Sequence, residues 1–275
     1  MLKIDAHHHF WDYDPVTHAW IDESMAAIQR SYSPADLEPI LREAGIEGTV
    51  LVQVNQSPEE NESFINIANQ HSFIHGVVGW IDLRARDLED QLQQLKTNRK
   101  LKGFRHIAQA EAPDFLSRPE IIDGIRKLGR QGYTYDILIK PQQFRASIEL
   151  VKACDEQPLV LDHIAKPYIR EGKISEWKKD MMEMAATEAV YCKLSGIITE
   201  ADWQQWTPEQ IRPYLEVALE AFGANRLMFG SDWPVCLVAG TYKQVVDLIE
   251  GYTRQLSEDE QAAIWGGNAV RFYSL

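Results

Sequence analysis

The chain has 275 residues, 45% hydrophobic and 25% charged, which suits one α/β barrel of about 250 residues with ample material for a core. With 28 basic against 41 acidic residues the formal charge is −13, which argues against a nucleic-acid partner, since that needs a basic surface to exchange for counterions. Cys154, Cys192 and Cys236 show no CxxC or Cys/His spacing, the first residues lack the apolar stretch of a signal peptide, and no apolar run reaches membrane length. The expectation is a cytoplasmic chain with reduced thiols and no membrane partner.

In chain order, short apolar runs rich in β-formers fall at residues 2–9, 49–54, 74–81, 101–107, 133–139, 159–163, 190–195 and 227–232. Segments of helical period separate them. Ser33-Pro34-Ala35-Asp36 reads as an N-cap with proline at the first helical position, followed by Leu37, Ile40 and Leu41 on one face. Phe64, Ile65 and Ala68 repeat that spacing, as do Leu88, Leu92 and Leu95. Strands alternating with helices predict a parallel sheet, and eight units predict closure into a single (β/α)8 TIM barrel over residues 1–275. No GxGxxG follows the first strand, so a dinucleotide-binding sheet has little support. Two long connections, 10–33 and 108–118, leave the carboxyl ends of strands, where a barrel builds its active site. Each is a candidate lid or pocket wall, or surface elaboration.

The strongest chemical signal is Asp5-Ala6-His7-His8-His9. Strict strand alternation places His7 and His9 on one face, toward the barrel mouth, with Ile4, Ala6 and His8 on the other. Two imidazoles so spaced are apt ligands for one divalent ion. The sixth predicted strand ends in Asp162-His163 and the eighth in Ser231-Asp232. A lone buried histidine is commonly a satisfied core residue, and a lone aspartate after a strand a helix cap. Three strand ends bearing His-x-His, His and Asp together point to a site.

The chain resembles the amidohydrolase superfamily, and within it the branch of sugar-acid lactonases such as L-fuconolactonase and L-rhamnonolactonase, and the dicarboxylate pyrone lactonases. The phrases that carry the resemblance are DAHHHFWD at 5–12, GWIDL at 79–83, KGFRH at 102–106, LDHIAKP at 161–167, CKLSG at 192–196 and MFGSDWPV at 228–235, with Gly267-Asn268-Ala269 near the end. It departs from the binuclear members, which add a histidine on strand five and a carboxylated lysine on strand four. Here strand five ends in Ile139-Lys140-Pro141, and strand four offers Arg105 and His106. The resemblance therefore implies one divalent ion, zinc first, held by His7, His9 and Asp232, or metal-free catalysis.

It further implies a hydrolase that opens a small lactone, with Asp232 activating water and His7, His9 and His163 polarising the carbonyl. Arg105 is the first choice for gripping a carboxylate or hydroxyls, because its planar fork binds two oxygens at once. His106, Trp80, Trp11 and Trp233 join it as candidate substrate contacts, and Asp82, Lys166 and Ser195 as polar or supporting ones. A zinc-dependent decarboxylase, another amidohydrolase-type hydrolase and a catalytically silent metabolite-binding barrel are the alternatives. Pairing into a homodimer is the expected oligomeric option.

Overall fold

The computed structural model describes residues 1–275. All eight predicted strands are present, each ending earlier than the apolar run suggests: β1 Ile4–His8, β2 Gly48–Val52, β3 Ile74–Gly79, β4 Leu101–His106, β5 Thr134–Ile137, β6 Leu159–Leu161, β7 Val190–Leu194 and β8 Leu227–Phe229. They pair in parallel in sequence order. The ring is completed just beyond β8, where the Asp232 amide donates to the His7 carbonyl and the His9 amide to the Trp233 carbonyl. The chain is thus the single (β/α)8 barrel the alternation predicts.

Helices α1 Pro34–Ala44, α2 Pro58–Gln70, α3 Leu88–Leu95, α4 Pro119–Arg130, α5 Phe144–Ala153, α6 Ser175–Ala185, α7 Pro208–Phe222 and α8 Tyr242–Thr253 surround the strands. Local chemistry sets their ends. At α1 the Asp36 carboxylate accepts from the Ser33 amide at 2.9 Å, and the helix stops at Gly45, whose φ of 68° suits a residue without Cβ. Two short helices follow, α9 Glu258–Ala262 and α10 Asn268–Tyr273, and close the amino-terminal end of the barrel. There Lys102 Nζ, on β4, donates to the Ser274 carbonyl at 2.8 Å. No helix is long and apolar enough to cross a membrane.

The core has two layers. The larger lies between strands and helices, and the smaller joins Ile4, Ala6, Val50, Val52, Val78, Val160 and Met228 with α10. Those seven come from β1, β2, β3, β6 and β8, and strands on opposite sides of a barrel meet only through its interior. This corrects the alternation expected on the first strand. Ile4 and Ala6 face inward, Asp5 faces outward to Tyr242 of α8 at 3.0 Å, and the β1–β2 register shifts between Asp5 and His8. The irregularity adds a residue, so His7 also faces inward while His8 turns out to Thr49.

Gly103 marks the tightest approach between β4 and β5. A Cβ there would overlap Thr134 Oγ1 and lie 2.7 Å from the Thr134 carbonyl oxygen. Gly103→Ala is expected to lower unfolding free energy by about 1–3 kcal/mol, the usual cost of overpacking, at unchanged denaturant slope. Equilibrium urea unfolding measures it.

Candidate active site

The site is built in tiers along the barrel axis. The lowest tier is Tyr273 of α10, whose hydroxyl donates to Asp136 Oδ2 of β5 at 2.8 Å. Above it Lys193, buried completely in the middle of β7, places Nζ 2.5 Å from Asp136, 3.0 Å from Asp162 and 3.1 Å from His7 Nδ1. Arg105, at the end of β4, reaches Asp162 at 3.2 Å and donates to the Gln53 carbonyl at 2.6 Å. Two cations thus face two carboxylates, all four side chains buried. Burial opposes the charge on Asp162, but Lys193 and Arg105 outweigh it and hold the carboxyl below its usual range.

The next tier carries the predicted quartet. Asp232 Oδ1 lies 3.4 Å from His9 Nε2 and 3.9 Å from both His7 Nε2 and His163 Nε2. Burial pushes all three imidazoles below their ordinary range and favours their neutral forms. Asp232 goes the other way. Burial alone would raise it, yet His163, His9 and Lys166 hold it below the usual carboxylate range.

The backbone at these positions is strained. His163, Ile164, Ala165 and Lys166 all have φ between 46° and 57°, and Asp232 has φ 57°. Each such non-glycine residue costs about 1–3 kcal/mol, most for β-branched Ile164, and persists only where the surroundings enforce it. Gly196 gives them room, since a Cβ there would sit 2.5 Å from the His163 ring and 3.1 Å from Asp232 Oδ2.

The donor set fits a divalent ion. His7, His9 and Asp232 each turn a ligand atom into one spot, all within 4.8 Å of one another. His9 Nδ1 sits 2.7 Å from the Val52 carbonyl, an acceptor only, so it carries the proton and Nε2 presents a lone pair. His7 Nε2 is 3.2 Å away. Cationic donors lie at both nitrogens of His7, Lys193 3.1 Å from Nδ1 and Arg105 3.1 Å from Nε2; in the tautomer with the His7 proton toward Asp162, its Nε2 lone pair converges with that of His9 beside a carboxylate, as zinc requires.

A cavity of about 470 Å³ opens above the quartet, with His9, His163, Asp232 and Arg105 in its lining. The 10–33 connection contributes Trp11, Trp20 and Met25 to its wall, and 108–118 contributes Gln109 and Ala110, so both connections border the pocket. The other predicted contacts lie elsewhere. Trp233 is only 1% exposed, packed edge-on to Phe10 and Tyr32. His106 stacks on Phe115 and pairs with Glu111 at 3.0 Å, while Trp80 donates to His106. Neither Trp80 nor His106 borders the cavity, and Arg105 directs its guanidinium at Asp162, Gln53 and His7 Nε2.

Sequence reasoning missed Asp136, Lys193 and Tyr273 as a network, and Glu200 and Trp203 as pocket wall. The available signal was a charge inside each apolar strand, Asp136 between Tyr135 and Ile137 and Lys193 between Cys192 and Leu194. Lys193→Met would leave two buried carboxylates short of a cation. We expect it to cost about 3–5 kcal/mol of stability, with part regained in the double variant Lys193→Met/Asp136→Asn. Equal instability of single and double variants in urea unfolding would count against the network.

Residues 4–275 match the amidohydrolase family model. The chain is 37% identical to an L-fucono-1,5-lactonase of Burkholderia multivorans, covering 100% of this chain and 96% of that one. It is 34% identical to an L-fucono-1,5-lactonase of Burkholderia ambifaria, again over 100% and 96%. A crystal structure of an amidohydrolase from Burkholderia multivorans with bound zinc superimposes at a TM-score of 0.97, with 37% identity and full coverage of both chains. The tiered quartet therefore sits in a barrel that belongs to the amidohydrolase family.

Proposed function

We propose that this protein is a hydrolase that opens the lactone ring of a sugar acid by Asp232-assisted attack of water. The observation that carries this reading is the position of Asp232, ringed by three imidazoles at the floor of the cavity. The 37% identity to a lactonase over the whole chain supports the substrate class. A decarboxylase or a silent binding barrel is not favoured by these relatives.

The chemistry needs a base, a polarised carbonyl and a proton for the departing ring oxygen. Asp232 accepts the water proton through a carboxylate oxygen and later returns it to the ring oxygen, one group performing both transfers. His163 supplies the electrophilic contact. Ser195 Oγ is 2.9 Å from His163 Nδ1; in the tautomer in which the hydroxyl donates there, the Nε2 proton faces the cavity and can donate to the carbonyl oxygen. His7 and His9 flank the carboxylate, and are themselves oriented by Lys193, Asp162 and the Val52 carbonyl.

One divalent ion, zinc by its donor set, would be held by His7, His9 and Asp232 and would supply Lewis acidity at the carbonyl. The small-molecule partner is the lactone. Homodimer formation and cytoplasmic location belong to the same proposal.

A panel of lactones followed by acid release, with chelated and with zinc-loaded protein, tests the reading. Asp232→Asn is expected to lower kcat on the preferred lactone by about a hundredfold or more, the scale of a general base. An unchanged rate would remove Asp232 from the mechanism. Zinc is expected to bind about one per chain and raise Tm, with His9→Ala abolishing both effects; calorimetry and thermal denaturation report this independently of turnover.

A further inference from the structure

Outside the quartet, two charged side chains in the cavity wall have no part in the chemistry above. Lys166 comes from the strained turn after β6, and Glu200 from the short helical turn Ile198–Glu200 after β7. Their heads are 3.6 Å apart, too far for a hydrogen bond, and neither makes another side-chain bond within the protein. Their side chains are 18% and 23% exposed, so their heads are open to the cavity. On a surface, such a pair would be an ordinary weak ion pair. Here both line the same cavity as Asp232 and His163.

The backbone indicates that this placement is imposed rather than incidental. Lys166 ends four successive residues in the left-handed region, the first of which is His163. One costly turn therefore sets the direction of both a quartet imidazole and the lysine. Glu200 responds to the same enclosure. Burial raises its carboxyl above the ordinary range, Lys166 pulls it back, and the charge of Asp232 adds to the rise.

We propose that Lys166 and Glu200 form a hydroxyl-reading subsite, the ammonium donating to one substrate hydroxyl and the carboxylate accepting from a neighbouring one. A donor and an acceptor side by side with unspent capacity match a vicinal diol, whose two hydroxyls offer the complementary acceptor and donor. A dicarboxylate substrate fits poorly, because Glu200 and Asp232 would both oppose its charge. The wall opposite in character, with Trp11, Trp20 and Trp203, suits the less polar side of a sugar ring. The subsite deepens the lactonase reading and rests on it. It assigns the substrate class as aldonolactones with free adjacent hydroxyls.

The test is a substrate-by-variant cycle. The kcat/KM of wild type, Glu200→Gln and Lys166→Met is measured on an aldono-1,5-lactone and on its monodeoxy analogues, one hydroxyl removed at a time. For wild type, loss of a hydroxyl read by the pair is expected to lower kcat/KM by about ten- to a hundredfold, the value of a hydrogen bond to a charged group. For the variant lacking its partner, the same deletion is expected to cost less than about threefold. Melting temperatures show that each variant is folded, and Lys166→Arg, which keeps the donor, is expected to restore most of the hydroxyl discrimination. If every deletion costs the variants as much as it costs wild type, the subsite is overturned while the lactonase reading stands. If wild type opens none of the lactones, both fall together.

Discussion

The lysine buried beneath His7 is the constraint on which the rest of the site depends. An ammonium in the barrel interior is tolerable only with carboxylates around it, and the carboxylates only with their cations. Asp136, Asp162, Lys193 and Arg105 pair their charges across β4, β5, the end of β6 and β7, so none of those strands can slip without stranding a charge. His7 sits on top of this neutral block and takes its orientation from it. Tyr273 ties the block to the last helix, which explains why a barrel whose chemistry lies at one end also depends on residues that close the other.

Above that block the chain uses backbone strain instead of charge. β6 and β8 end sooner than their apolar runs, and the residues freed from the sheet turn into left-handed conformations at His163 and Asp232. An extended strand would project alternate side chains at fixed intervals along the wall. The turns instead bring an imidazole and a carboxylate from two strand ends to within 3.9 Å. Gly196 is the compensating feature, a residue without side chain where two functional groups need the space. Strain and close approach coincide there, and strain of this kind persists where the surrounding structure enforces it.

The barrel and the quartet were legible in the sequence because both are repeated or short-range signals. Eight apolar runs separated by helical periodicity leave few topologies, and charged or imidazole groups capping such runs are placed by the fold itself. The inward direction of His7 was expected from the wrong parity: alternation would send Ile4 and Ala6 outward, but a one-residue irregularity lets them share the interior with His7. Bulges leave no mark in a hydrophobic pattern. The aromatic candidates fared unevenly for a related reason. Trp11 and Trp233 each lie within four residues of a quartet member, but only the direction of the backbone decides that Trp11 borders the cavity while Trp233 packs into the core. The Lys193 network was hidden because its members meet across strands far apart in sequence.

The division into a neutral lower block and an acidic upper tier also bears on turnover. A lactone enters uncharged, so the carboxylates of Asp232 and Glu200 do not repel it. The proposed reaction turns it into a carboxylic acid that ionises at neutral pH, beside two groups of the same sign in the cavity wall. Lys193 and Arg105 cannot compensate, since their charges are already balanced by Asp136 and Asp162. Among the side chains lining the cavity the cations are Arg105, already engaged by Asp162, and Lys166, for which Glu200 competes. With no divalent ion bound, the same arrangement that accepts the neutral ring disfavours retention of the anion, and the overall charge of −13 acts in the same direction.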